Sequence, residues 1–91
     1  MVKPKPYDIV ASRAGHDSGK LFMVTAVEGE RVLLCDGRNR KLENPKRKSP
    51  KHVRLVAGRD TPPATDKEIR QTLAQAADEA AAKEGKLLGE R

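Results

Sequence analysis

Lys20 to Val27 reads KLFMVTAV, and this stretch decides the fold. It is nearly all apolar and rich in β-branched residues, which favours a strand over a helix. Alternation puts Phe22, Val24 and Ala26 on one face and Leu21, Met23, Thr25 and Val27 on the other. With apolar side chains on both sides, both faces are expected to be covered, as in a small closed barrel.

The flanking residues supply the rest of a barrel. Glu28-Gly29-Glu30 links this strand to a second apolar run, Arg31 to Cys35, at a spacing that favours an antiparallel hairpin. Asp36-Gly37 ends that run with a turn. Upstream, Pro4 and Pro6 exclude a helix and predict an extended arm over residues 1–6, after which Tyr7 opens a short strand through Val10. Arg13 to Gly19, with Gly15 and Gly19 around Asp17 and Ser18, makes the connecting turn. Downstream, Lys41-Leu42 and His52 to Val56 read as short strands, and Pro45 and Pro50 are expected to keep the segment between them out of regular ladders. Five short strands with no room for a crossover helix predict a mainly β fold, a small antiparallel SH3-like barrel over residues 7–57.

The chain then changes character. After a linker at 58–64 containing Pro62-Pro63, Thr65 and Glu68 have the spacing of a capping box. A C-terminal α-helix is expected from there to about Lys83, with Gly85 as its C-cap and residues onward to Arg91 frayed. Its apolar stripe is Ile69, Leu73, Ala76, Ala77 and Ala80. Alanine buries little surface, so docking beyond Leu73 should be weak.

Charge is unevenly divided between these parts. Residues 1–56 hold 13 basic and 6 acidic residues, whereas residues 57–91 hold 6 and 7, so the whole net charge of +6 belongs to the barrel. Arg38 to Arg54 (RNRKLENPKRKSPKHVR) is its densest part, with eight Lys or Arg and one Glu. Folded surfaces normally intersperse both signs, so this imbalance points to a polyanion partner. With only Tyr7 and Phe22 as aromatics, stacking on single-stranded bases has little support.

Other chemistries find little footing. The lone Cys35 lies inside an apolar run and reads as a buried thiol, which suits a reducing, cytoplasmic setting. His16 and His52 stand far apart and match no metal-ligand spacing, so no metal or other cofactor is expected. His16-Asp17-Ser18 holds the residue types of a hydrolase triad, but neighbours in one turn cannot line up base, acid and nucleophile. Gly15-x-x-x-Gly19-Lys20 is one residue short of a phosphate-binding loop and leads into a strand. An enzyme is not expected. No apolar run approaches the ~20 residues of a membrane span, and no secretory h-region opens the chain.

A family resemblance joins these observations. Asp8 to Val24 (DIVASRAGHDSGKLFMV) resembles a KOW motif, in which a strand leads through a basic loop with a fixed glycine, here Gly19, into the next strand. Val32 to Lys41 and Pro45 through Val53 resemble the continuation found in KOW-containing large-subunit ribosomal proteins of archaea and eukaryotes and in their small bacterial relatives. The resemblance covers about residues 7–56 and implies an SH3-like barrel that binds structured RNA, ribosomal RNA above all. Carried over residue by residue, it assigns RNA contacts to Arg13, His16 and Lys20 in the loop. It assigns further contacts to Arg38, Arg40, Lys41, Lys46, Arg47, Lys48 and Lys51 after the Asp36-Gly37 turn. His16 stands where relatives commonly carry Arg, which replaces a permanent charge by one mostly absent at neutral pH.

Two expectations follow for partners. The first is a non-catalytic, ribosome-associated RNA-binding protein that touches RNA, and with it ribosomal proteins, but no membrane. The second is an SH3-like protein-interaction module, against which the scarcity of aromatics for a peptide groove argues. A monomer is expected, since the helix has too narrow a stripe of large residues for a coiled coil.

Overall fold

The computed structural model describes residues 4–89. Five antiparallel strands form one sheet, followed by a single long helix: β1 (Ile9–Ser12), β2 (Leu21–Glu28), β3 (Arg31–Cys35), β4 (Lys46–Lys48), β5 (Val53–Ala57) and α1 (Asp66–Gly89). The strand order is β4-β3-β2-β1-β5, with a 3-10 turn at Pro50–His52 leading into β5. This is the meander expected for a small barrel-like domain. Among the described residues no helix is long and apolar enough to cross a membrane.

β2 is the spine, as its sequence requires. Its two faces feed two separate clusters: Phe22 and Val24 join Val10, Val32, Leu34 and Val53, while Met23 joins Ile9 and Cys35. The first cluster is the interior of the curled sheet. The second lies under α1 and is completed by Ile69, Leu73 and Ala76. Both faces of β2 are thus covered, but a helix rather than barrel closure covers the second. Docking also continues one turn past Leu73, because Ala76 is only 7% exposed. Cys35 is fully enclosed here, its thiol donates to the Lys41 carbonyl (3.3 Å), and burial raises its pKa.

Alternation along β2 breaks where the register shifts between Val24 and Ala26. Thr25 is the extra residue of a bulge, and its hydroxyl donates to the Leu33 carbonyl (3.3 Å). Past the bulge Val27, not Ala26, packs on the interior cluster, which corrects the simple alternation expected for this strand. The hairpin to β3 turns at Gly29-Glu30, with Glu28 opposite Arg31 and Gly29 at φ +57°.

Three other expectations need correction. Tyr7 does not open β1; it sits in a turn at φ +76°, its N–H donating to the Val24 carbonyl (2.6 Å), and the strand begins at Ile9. The turn is held by Asp8, whose buried carboxylate accepts from the backbone N–H and the ammonium of Lys5. Lys41-Leu42 is not a strand, because the chain there bends to meet α1, where the Leu42 N–H donates to Asp66 Oδ1 (2.8 Å). The strand is instead the segment between the prolines, Lys46–Lys48, paired with Leu34, Leu33 and Val32 of β3. Pro45 and Pro50 bound this ladder from outside it, at the sheet edge where proline is tolerated.

The capping box forms at the start of α1 with one change of partner. The Thr65 hydroxyl accepts from the Glu68 N–H (3.2 Å), whereas the Glu68 carboxylate accepts from the Ala64 N–H rather than that of Thr65. Thr65→Ala is expected to cost about 1 kcal/mol, read as a lower urea midpoint at unchanged slope. At the other end the helix runs past Gly85 to Gly89 instead of stopping at a glycine cap. One interior glycine costs about 1 kcal/mol, which an alanine-rich helix absorbs. The fraying expected at Arg91 lies outside the described residues.

Candidate nucleic-acid interface

The loop from Arg13 to Lys20 is wound tightly on itself. The Ser18 N–H donates to the Gly15 carbonyl, the Gly19 N–H to Ser12 and the Lys20 N–H to Asp17, with Gly15 and Gly19 both at positive φ. These bonds leave the side chains of Arg13, His16 and Lys20 exposed. The Arg13 N–H donates to the His52 carbonyl (2.7 Å), which fixes the loop beside the 3-10 turn and its exposed Lys51 and His52.

Asp17 organises this face from beneath. Its Oδ1 accepts from the Ser12 hydroxyl (2.7 Å) and the Lys48 ammonium (2.8 Å), and its Oδ2 accepts from the Lys46 ammonium (2.6 Å). Lys48 donates also to the Ser12 hydroxyl (2.7 Å) and the Ala14 carbonyl (3.0 Å), so all three of its protons are engaged. The two charges are deeply placed, with side-chain exposures of 9% for Lys48 and 10% for Asp17. The alternation of Lys46 and Lys48 sends both side chains to one carboxylate, and the loop is thereby clamped to β4.

The titration of Asp17 follows from this setting. Burial alone would raise its pKa, but hydrogen bonds from Lys46, Lys48 and Ser12 and the charge of Lys48 outweigh it and hold the carboxyl well below the usual carboxylate range. A pKa depressed on folding contributes stability that is present in full above the unfolded value and lost as pH falls toward the folded one. The stability gap between the native protein and Asp17→Asn is therefore expected to hold steady above about pH 4 and to narrow progressively below it. Urea unfolding across that range measures it.

The ten residues assigned to RNA from sequence divide into three groups. Arg13, His16, Lys20 and Lys51 are exposed around the loop and the 3-10 turn, with Arg47 exposed on the adjoining β4. Arg47 makes only an open 3.5 Å pair with Glu28. Lys46 and Lys48 are turned inward and serve the clamp, with the Lys48 ammonium fully engaged inside it. Arg38, Arg40 and Lys41 belong to a separate loop after β3, in which the Asp36 carboxylate accepts the backbone N–H groups of Arg38 (2.8 Å) and Arg40 (2.9 Å). Arg38 and Lys41 are exposed there and Arg40 is half-buried.

This second loop is tied to the helix. Arg70 donates to the Gly37 carbonyl (2.7 Å), and Gly37, at φ +78°, is packed against the Asp66 carbonyl. Sequence reasoning missed Asp17, which looks like any turn residue until its lysine partners are brought up from 29 and 31 positions away. It also passed over His52 and Arg54, exposed beside the assigned residues, although both lie within the basic stretch. Comparison with known proteins leaves this face to its own residues: no family model matches the chain, and no curated protein matches it significantly.

Proposed function

We propose that the protein is a non-catalytic RNA-binding module, ribosome-associated in the manner of the KOW-containing proteins it resembles, which holds structured RNA through its basic face. The observation that carries this reading is the clamp itself. Asp17, Lys46 and Lys48 fix a glycine-wound loop so that Arg13 stands beside the 3-10 turn bearing Lys51, while Lys20 is exposed at the loop's end. Such an array fits a phosphate backbone, and contacts of this kind position a protein without reading bases.

The number of available cations sets the expected salt dependence. Arg13, Lys20, Arg38, Lys41, Arg47 and Lys51 are exposed. If these six meet phosphates, log affinity for structured RNA should fall with log salt at a slope of about −4 to −5. Arg13→Gln with Lys51→Gln should flatten the slope by about 1 to 2 without lowering thermal stability. A flat dependence in the native protein contradicts the reading.

A further inference from the structure

We propose that the outer edge of β5 is a docking site for an extended acidic segment of a partner protein, which joins the sheet as a sixth strand alongside Leu55. The two edges of this sheet are not alike. β4 is three residues long, charged throughout, bounded by Pro45 and Pro50, and tied by two lysines to Asp17. Short length, charge and proline are the usual means of closing an edge to further pairing. β5 has five residues and no proline, and it is bonded to β1 on one side only. On its other side the Val53 N–H donates to the Pro50 carbonyl, and among the described residues no further backbone bond is made there, so the open part of the edge is at Leu55.

Leu55 marks the same edge. It is 49% exposed and is the one large hydrophobic side chain left exposed among the described residues. Val53, two positions earlier in the strand, is buried in the interior cluster. β4 and β5 are the two ends of the strand order and do not pair, so Leu55 lies on an edge strand that the fold leaves open.

Charge decides what kind of strand fits. Residues 46–59 contain six Lys or Arg and no acid, and of these Lys51 and Arg54 are exposed in or beside β5. A second copy would bring the same basic strand and be repelled. RNA would bring acceptors but neither the regularly spaced donors that the strand's carbonyl groups require nor an aliphatic surface for Leu55. A polypeptide alternating acidic and aliphatic residues meets all three demands, with main-chain bonds supplying affinity and side chains supplying choice. The proposal rests on the edge at Leu55 and the RNA reading on the loop clamped at Asp17, with Lys51 common to both.

The probe is a blocked hexapeptide of alternating Asp or Glu and Val, titrated into the 15N-labelled full chain. The expected result is amide shifts along Val53–Ala57 and slowed hydrogen exchange at the outward-facing Leu55 amide. Leu55→Lys, which leaves the fold intact, should weaken binding about tenfold. A hexapeptide with Pro at its centre or Lys for its acids should not bind. The proposal is overturned if the β5 amides stay unmoved at millimolar peptide, or if the Pro or Lys peptide binds equally well. Self-association of the protein through β5 would also overturn it.

Discussion

Asp17→Asn is expected to weaken RNA binding about tenfold, although it raises the formal net charge from +6 to +7. If affinity followed charge alone, the variant would bind more tightly. The structure argues the opposite because Asp17 holds Lys46 and Lys48, and through them the loop bearing Arg13, His16 and Lys20. Without the carboxylate, a lysine that is only 9% exposed loses its counter-charge, and the loop must open to let it reach water. Breaking a buried pair in this way costs about 3 kcal/mol or more. The measurement is a filter-binding titration at a temperature where circular dichroism shows the variant folded. Arg13→Gln serves as a second variant, since it removes a contact without touching the clamp. Unchanged or tighter binding by Asp17→Asn would mean that the loop need not be fixed.

Gly37→Ala is expected to destabilise the protein by about 2–5 kcal/mol, from the left-handed backbone penalty and the overpacking together. Gly37 has φ +78°, and a Cβ there would stand 2.5 Å from the Asp66 carbonyl oxygen and 2.8 Å from Arg70 Cγ. The Arg70 side chain can swing away, but the Asp66 carbonyl is helix backbone and cannot. The strain should therefore be relieved by lifting the start of α1 from the sheet, which uncovers Cys35 beneath it. Faster modification of Cys35 by a thiol reagent, alongside a lower thermal midpoint, would report this. A destabilised protein with Cys35 still protected would place the strain within the loop instead.

What the sequence disclosed and what it concealed both have physical reasons. β2 and β3 were legible because apolar runs bounded by Glu28-Gly29-Glu30 and Asp36-Gly37 are strong local signals, and the capping box announced α1 in the same way. β4 was hidden because Lys46-Arg47-Lys48 has no apolar residue; it becomes a strand through the backbone partners β3 offers and through one distant carboxylate. Lys41-Leu42 misled for the converse reason, since Leu42 packs on the helix-side cluster without joining a ladder. The candidate face was readable as a basic cluster, but not as two loops with different anchors. Asp17 secures one and Asp36 with Arg70 the other. Charge density in a sequence cannot distinguish a lysine facing solvent from one spent inside, and Lys48 is the residue for which that difference matters most.

The central claim, that this face binds structured RNA, is tested most directly by sedimenting the tagged protein on a sucrose gradient, with and without ribonuclease treatment of the lysate. The account predicts that the protein travels with ribosomal particles, returns to the top of the gradient after ribonuclease, and fails to sediment when Arg13 and Lys51 are changed to Glu. Sedimentation that survives ribonuclease, or that is indifferent to those two substitutions, would contradict it.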